Sequence, residues 1–381
     1  MIRKVTLGLV ATEIKSSTTE RIADMPIVGL EHLDPEELLL MRWDTSTKTT
    51  FTKTFKMGDV LFGRRRAYLK KAVIAPFDGI CSSDITVIRA IPGKIFPELL
   101  PFIIQNDEFF TYAVKNSDGS LSPRAKWSSL KEYSFYLDDD LKKQRELARL
   151  LAACHESKIA YSRVLLKCDE LIKSRFVEMF GTIESPNNDV VAIPLSLLGE
   201  CIAGATPSTK VPSYWNEGTI PWLTSGEVEQ GRIFQTSSHI TKEGYEACST
   251  RMLPKKSVCI AMAGQGKTRG FVGITEIELC TNQSICCIKA NPGINSDFLF
   301  WDLRLQYERL RAASNGDSGR GGLNLAILEK FTILWPSETM QESFVAYVNC
   351  IDKLKFNLQQ SIEKAKKLSS RILNDALSGN K

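Results

Sequence analysis

One segment of this chain fits a phosphate-binding pattern. Ala261-Met-Ala-Gly-Gln-Gly266-Lys267-Thr268 satisfies a relaxed phosphate loop with Ala in place of the first Gly, and a strand-like run, Ser257–Met262, precedes it. Such a loop also needs a helix behind it whose N-terminal N–H groups face the anion. The residues that follow, Arg269-Gly270-Phe271-Val272-Gly273-Ile274, are broken by glycine and rich in β-branched types, which opposes a helix. The simpler reading is a tight glycine turn that presents Lys267 and Arg269 outward. A nucleotide-binding enzyme using the Gly266-Lys267-Thr268 loop stays open as the alternative.

Other catalytic chemistries leave no trace. There is no G-x-S-x-G, and three histidines (His32, His155, His239) give little material for general-base work or metal ligation. No paired Asp/Glu cluster resembles a metal-dependent nuclease site. The Gly-rich cofactor loop and the Asn/Asp-Pro-Pro-aromatic tetrapeptide expected of an adenine methyltransferase are both missing, since Asn291-Pro292-Gly293 breaks that pattern at its third residue. The expectation is a chain with no catalytic residues, no metal site and no cofactor of its own.

What remains is basic loop chemistry. Arg64, Arg65 and Arg66 with Tyr68, Lys70 and Lys71 form a compact cluster on a glycine-initiated turn, and Arg124 and Lys126 lie on a loop ahead of Trp127. In the second half of the chain Lys210, Tyr214, Gln265, Lys267, Arg269 and Arg320 are placed similarly. Lys and Arg bind phosphate electrostatically, and Arg can also clasp guanine through its forked donors. A single cluster of this kind is ordinarily a solvated charged face. Two clusters at corresponding positions favour DNA contact. The glycine-rich stretch Ser314–Gly322 reads equally well as a mobile surface loop. The net charge of +5 over 381 residues permits a polyanionic partner without demanding one.

These loops must be carried by something, and the chain repeats itself. Leu141–Phe180 and Glu338–Leu377 contain no Gly and no Pro and each reads as one helix, roughly 60 Å long at the α-helical rise. In the second, Phe344, Tyr347, Ile351, Leu354, Leu358, Ile362, Ala365, Leu368 and Ile372 form one apolar stripe at spacings of three and four; in the first, Leu147, Leu150, Cys154, Tyr161, Val164, Cys168 and Leu171 do the same. Helices of this length with one apolar stripe pair with another helix. The regions before them also correspond: Pro26-Ile27-Val28 with Pro221-Trp222-Leu223, Gly58–Gly63 with Lys256–Ala261, Ala90-Ile91-Pro92-Gly93 with Ala290-Asn291-Pro292-Gly293, and Leu130–Tyr133 with Leu328–Phe331, at a constant offset of about 195–200 residues. The expected architecture is α+β: two repeated, mixed sheet-based globules (residues 1–140 and 183–337) alternating with two long helices (141–182 and 338–381) that pack as an antiparallel coiled-coil pair, as a pseudo-two-fold axis would require.

Composition agrees with a globular protein, with 43% apolar and 24% charged residues. The ten cysteines are scattered, without C-x-x-C, and read as small buried hydrophobes of a reducing cytoplasm. No apolar run approaches the roughly 20 residues that span a bilayer, so no membrane partner and a cytoplasmic location are expected.

The motif residues now point to a family. Gly204-Ala-Thr-Pro-Ser-Thr, then Tyr214-Trp215, then Ile220-Pro221-Trp222-Leu223-Thr224 closely resembles the opening of a target recognition domain from the specificity subunits of type I restriction–modification systems. Val258–Gly270 resembles that domain's central strand and loop, and Val28–Leu33 with Gly58–Tyr68 resembles a variant of the first such domain. The first globule departs from the pattern, with Ile14-Lys-Ser-Ser-Thr-Thr where the Gly-x-Thr-Pro-Ser opening would stand. The resemblance implies a chain that reads a bipartite, asymmetric target in double-stranded DNA, one half-site per globule, with the helix pair setting the spacer. It also implies two methyltransferase subunits docked on the helices, for which Leu147, Tyr161, Leu171, Phe344, Ile351 and Leu358 are the candidate contacts, and restriction/translocase subunits. S-adenosylmethionine, ATP and Mg would sit on those partners. Competing accounts are a non-DNA protein scaffold, and DNA recognition beside a different effector such as a single-chain nuclease–methylase.

Overall fold

The computed structural model describes residues 1–18, 24–35, 37–45, 49–119, 121–264, 266–314 and 322–379. The chain divides into two compact units, Met1–Leu165 with Phe356–Lys381, and Leu166–Lys355. Each unit therefore consists of a globule together with half of each long helix, where the sequence suggested four consecutive segments. The reason is burial: an apolar helical stripe must pack against something, and each globule covers part of both helices.

In the first unit the strands are β1 (Ile2–Thr6), β2 (Ala11–Ile14), β3 (Ile27–Val28), β4 (Lys53–Phe55), β5 (Val60–Gly63), β6 (Ala72–Ile74), β7 (Gly79–Cys81), β8 (Ile85–Ala90), β9 (Ser117–Asp118), β10 (Arg124–Ala125) and β11 (Ser134–Asp138). The helices are α1 (Leu7–Val10), α2 (Leu100–Ile104), α3 (Asp107–Lys115), α4 (Trp127–Leu130) and the long α5 (Leu141–Phe180). A four-stranded antiparallel sheet has the order β2-β8-β5-β6, and a three-stranded sheet the order β3-β7-β4; β1 pairs with β11 and β9 with β10. Both faces of the larger sheet are covered at its strand β5, which is why β5 is apolar and buried along its whole length. Val60 and Phe62 of β5 face a core with Phe109, Phe110, Tyr133 and Phe135, while Leu61 between them faces Val28, Leu33, Val73 and Val87.

The second unit contains β12 (Val191–Pro194), β13 (Gly199–Ala203), β14 (Ile220–Leu223), β15 (Arg232–Ile233), β16 (Ser238–Ile240), β17 (Val258–Ala261), β18 (Val272–Thr275), β19 (Cys280–Thr281), β20 (Ile285–Ala290) and β21 (Thr332–Trp335). Its helices are α6 (Lys242–Glu246), α7 (Ser296–Leu305), α8 (Tyr307–Ala313) and α9 (Leu325–Glu329), and the long α10 (Glu338–Leu377) begins in it. Here the sheets run β13-β20-β17-β18-β15 and β16-β14-β19, and β12 pairs with β21. Ala11 faces Ala90 in the first unit and Gly199 faces Ala290 in the second; Val60 faces Ile88 and Val258 faces Ile288; the parallel pairs are Val28 with Cys81 and Leu223 with Thr281. After β8 and β20 the chain turns on Ile91-Pro92-Gly93-Lys94 and Asn291-Pro292-Gly293-Ile294. Each turn closes with a 3.1 Å hydrogen bond, and Gly93 and Gly293 stand at φ +74° and +83°, which only glycine adopts at little cost.

The two Gly- and Pro-free segments are each a single helix of 40 residues. Asp140 starts α5 by accepting the Lys142 N–H at 2.8 Å, and Gly181 at φ +79° ends it. Within the first unit Ala148 and Leu151 of α5 share a core with Leu373 and Leu377 of α10, and Asn106 donates to Asn374 at 2.9 Å. Within the second unit Phe176 and Phe180 of α5 stack edge-to-face on Phe344 of α10 and on Phe298 of α7 or lie parallel to it, and Lys355 reaches Asp169 at 2.6 Å. Residue numbers rise along α10 as they fall along α5, so the helices run in opposite directions there.

The apolar stripe on α5 differs from the expected one. Leu150, Tyr161, Val164 and Leu171 are exposed, and the buried positions are Gln144, Ala148, Leu151, Cys168, Ile172, Phe176 and Phe180. The seam enters through a polar residue that periodicity passes over: the Gln144 amide accepts from the Phe96 N–H and donates to the Asp138 carbonyl, both at 2.7 Å, tying helix to globule. Gln341 does the same at the start of α10, donating to the Pro336 carbonyl at 2.9 Å.

Of the ten cysteines, Cys81, Cys168, Cys259, Cys280, Cys286 and Cys287 are buried as expected; Cys350 is exposed. No helix among the described residues is long and apolar enough to cross a membrane, and no group of His, Cys, Asp and Glu among them could hold a metal ion.

Candidate nucleic-acid interface

In the first unit the basic residues lie on the loop joining β5 to β6 and on the β9–β10 hairpin, and the fold brings the two together. Arg65 and Arg124 form a backbone bridge; the Arg64 N–H donates to the Asp84 carbonyl at 3.0 Å, the Ala125 N–H to the Arg64 carbonyl at 2.8 Å, and the Arg66 N–H to the Pro123 carbonyl at 2.9 Å. The turn is tight enough that Arg66 and Lys70 both sit in the left-handed region, at φ 56° and 50°, on either side of a single 3₁₀ turn, Ala67–Leu69. Tyr68 on that turn is exposed.

The side chains sort into held and free. Asp84 is the hub: it accepts from the Arg124 Nε at 2.9 Å and pairs with Arg65 at 3.7 Å, while Arg65 Nε donates to the Ser122 hydroxyl at 2.6 Å. The hydrogen bond to Asp84 raises the Arg124 pKa further, so its charge is permanent. Lys70 pairs with Asp107 at 2.5 Å and Lys126 with Asp118 at 2.9 Å; Lys71 turns to the Leu30 carbonyl at 2.7 Å. Arg64 is half-buried, with its Nε inaccessible to solvent, whereas Arg66 is exposed and makes no side-chain hydrogen bond or ion pair among the described residues. Fewer free cations thus face solvent than the sequence counted. Asp84 was missed because it stands 40 residues from Arg124 and meets it only through tertiary structure. The repeat offers one signal, since Ser82-Ser83-Asp84 precedes β8 as Asn282-Gln283-Ser284 precedes β20.

In the second unit the phosphate-loop-like residues join β17 to β18, which return antiparallel. The segment is the closed end of a β-hairpin with no helix behind it, so the nucleotide-binding alternative loses its structural basis. Its carbonyls are held from outside: Tyr307 Oη donates to Lys267 O at 2.7 Å, and Arg311 donates to Gly266 O at 2.7 Å and to Arg269 O at 3.3 Å, while Tyr307 stacks on Phe271. A loop whose carbonyls face cationic and hydroxyl donors is not a cradle of N–H groups for phosphate. Lys267 points to solvent and Arg269 is half-buried. Arg311 and Tyr307 are positioning residues that sequence reading overlooked. Gln265 and Arg320, along with most of the glycine-rich stretch, lie outside the described residues.

Within the Gly204-Ala-Thr-Pro-Ser-Thr segment, Gly204 to Pro207 are packed while Ser208 and Thr209 are exposed. Ala205 N–H donates to the Thr281 carbonyl at 3.0 Å, and a Cβ at Gly204 would collide with that same carbonyl. Trp222 Nε1 donates to Ala205 O and Trp215 Nε1 to Ser208 O, both at 3.1 Å, with the two indoles edge-to-face at 5.0 Å. Tyr214 is half-buried and its carbonyl takes the Thr241 N–H at 2.9 Å, so the tyrosine shapes this corner, and Lys210 beside it is exposed.

Of the residues expected to meet partner subunits, Tyr161 and Leu171 are exposed and Leu147 is half-buried. Phe344, Ile351 and Leu358 are buried within the chain's own packing, at 0%, 9% and 9% exposure, and cannot present themselves to a subunit.

Comparison with known proteins follows the same line. Residues 187–365 match the family model described as the type I restriction modification DNA specificity domain. The type I restriction enzyme MjaIX specificity subunit of Methanocaldococcus jannaschii is 28% identical over 180 residues, which cover 46% of this chain and 40% of that protein, so the match spans less than half of the relative's length. Among solved structures, a chain from a study of complex assembly and conformational transition of the type I R-M system superposes with a TM-score of 0.66 at 17% identity, covering 99% of this chain and 98% of its own. The type I restriction-modification system S subunit from M. genitalium superposes with a TM-score of 0.58 at 13% identity, covering 100% of this chain and 97% of its own. At such identities the superpositions speak for the fold. Residues 187–365 are thus similar to the type I restriction modification DNA specificity domain, and the chain is similar, over part of its length, to a type I restriction enzyme specificity subunit.

Proposed function

We propose that this chain is the DNA-recognition subunit of a type I restriction–modification complex, with no catalytic centre of its own. The observation that carries the reading is the equivalence of the two globules. The order β2-β8-β5-β6 corresponds to β13-β20-β17-β18 with the same pairing register, and in both units the loop after the central strand (after β5, after β17) is the one that carries arginine and lysine. We read the globules as a pair of target recognition domains descended from one unit, each addressing one half-site of a bipartite, asymmetric target. The long helices are read as an antiparallel coiled coil that sets the spacer between the half-sites.

On this reading two methyltransferase subunits bind the helices, the exposed Tyr161 and Leu171 being contact candidates, and restriction/translocase subunits complete the assembly. S-adenosylmethionine, ATP and Mg belong to those partners, and the target adenine is turned out of the duplex into their active sites. This chain supplies the address.

The test is methylome sequencing of cells that express the chain with its methyltransferase subunits, against cells that lack it. A bipartite methyladenine motif that depends on the chain is the expected result. An assembled complex that yields no motif and binds no DNA would leave a protein scaffold as the better account.

A further inference from the structure

The arginines of the first unit are not equivalent, and the way each is held decides what it can touch. A guanidinium carries five N–H donors. Arg65 has both edges engaged, Nε on Ser122 at 2.6 Å and a terminal nitrogen near Asp84 at 3.7 Å. Arg66 is exposed and unsupported, suited to a phosphate but not to fixed geometry. Arg124 combines support with freedom. Its Nε is fixed on Asp84 at 2.9 Å, its backbone is fixed in the β9–β10 hairpin and bridged to Arg65, and its terminal NH1/NH2 fork has no partner among the described residues. The side chain is 44% exposed, against 20% for Asp84 beneath it.

The second unit keeps the scaffold and omits this device. Arg64 N–H to Asp84 O at 3.0 Å has its counterpart in Met262 N–H to Ser284 O at 2.8 Å, and Ala125 N–H to Arg64 O at 2.8 Å in Leu323 N–H to Met262 O at 3.2 Å. Ser284 therefore stands where Asp84 stands, and Gly322 where Arg124 stands. An acid and an arginine placed together at equivalent sites in one unit, and both absent from the other, are the signature of a contact peculiar to one half-site.

Building on the DNA-recognition reading above, we propose that Arg124 is a specificity-determining residue of the first unit, its terminal fork reading the O6 and N7 of one guanine in the major groove, and that Asp84 is its positioning residue. The fork matches the two acceptors on that base edge and no other base pair offers both in that arrangement. Holding the guanidinium from behind removes the rotamer freedom that an unsupported arginine loses on binding.

The experiment uses the full chain assembled with its methyltransferase subunits, read by methylome sequencing and by competition binding to duplexes differing at single positions. Arg124→Ala and Arg124→Lys should each turn one invariant guanine of one half-site into a degenerate position, with discrimination there falling about tenfold to a hundredfold and the other half-site read as before. Arg124→Lys keeps charge and bulk, so it carries the test should the alanine variant fail to assemble. Asp84→Asn should relax the same position while binding to non-cognate duplex strengthens, because a negative charge has left the surface; structural damage would lower both. A motif unchanged by Arg124→Lys and Arg124→Ala, or one weakened evenly at every position, overturns the proposal. A wild-type complex with no motif at all would instead refute the DNA-recognition reading on which it rests.

Discussion

Asp302 lies on α7 with no solvent exposure, and its carboxylate is held by the Leu334 N–H at 3.2 Å, by Gln306 and by the field of Arg309. Burial outweighs these contacts and pushes its pKa from 3.8 to about 7. An acid whose pKa is raised on folding binds its proton more tightly in the native state. Its contribution to stability is fully present below the unfolded value near 4 and is lost as pH rises through about 7. The slope between those limits is about 1.4 kcal/mol per pH unit, so the shift of roughly three units is worth about 4 kcal/mol. In Asp302→Asn the slope vanishes. The amide oxygen still accepts from Leu334, whereas the amide nitrogen faces the Gln306 donor and adds a constant offset of about 1 kcal/mol. The quantity to measure is therefore the difference between variant and wild type as a function of pH. Urea unfolding of the full chain should be followed by tryptophan fluorescence, which Trp215, Trp222, Trp301 and Trp335 weight towards the second unit. The variant should gain on the wild type steadily from pH 4 to pH 7.5. Parallel curves would show that Asp302 is ionised throughout and that the desolvation argument is wrong.

Three further outcomes follow from the loops and helices. Arg66→Ala should lower the slope of log affinity against log salt by about one, as expected for one lost phosphate contact; an unaltered slope in filter-binding measurements returns Arg66 to a solvated face. Arg311→Ala frees the carbonyls of Gly266 and Arg269, bonds each of roughly 1.5–3 kcal/mol with a charged donor. Amide exchange in residues 262–271 should then accelerate and only the second half-site should lose definition, and protection equal to wild type would refute the clamp. Four residues inserted in α5 between Ala152 and Tyr161 would rotate its seam by about 40°. Matched insertions of seven residues in α5 and in the facing turns of α10 should instead lengthen the spacer by about 10 Å, or roughly three base pairs, with both half-sites kept; an unchanged spacer in the methylome would defeat the ruler.

The helices were legible because forty residues without Gly or Pro admit few alternatives, and the correspondence of the ends of β8 and β20 because each runs into an Ala-x-Pro-Gly turn. The helical seam was misread for a physical reason. Periodicity weighs only apolar side chains, and the positions that decide where α5 enters its core are Gln144, buried through its two hydrogen bonds, and the small Ala148. Arg64, Arg65, Arg66 and Arg124 were found by type and proximity to glycine turns. Their ranking was not legible, because it depends on which cations are neutralised: Asp84 reaches Arg65 and Arg124 only through tertiary structure, as Asp107 reaches Lys70 and Asp118 reaches Lys126. Tyr307 and Arg311 act on backbone carbonyls, acceptors that every residue carries and that leave no mark in a sequence.

The two units fix the same loop by opposite chemistry, and under the proposed reading this bears on how one scaffold would hold two addresses. After β5 an acid draws arginine side chains inward and leaves selected donors outward. After β17 an arginine draws carbonyls inward and leaves Lys267 outward. In both cases the strand pairing beneath is untouched: Val60 faces Ile88 and Val258 faces Ile288, and the bonds that anchor the loop start from the first residue after the strand, Arg64 or Met262. Substitutions at the loop tip therefore act downstream of a register set by buried residues, and their cost to folding is the cost of surface exchanges, within about 0.5 kcal/mol. Substitutions at Asp84 or Arg311 change the loop's presentation as a whole. A change of target should accordingly begin with the tip side chains and be limited by the residue that holds them.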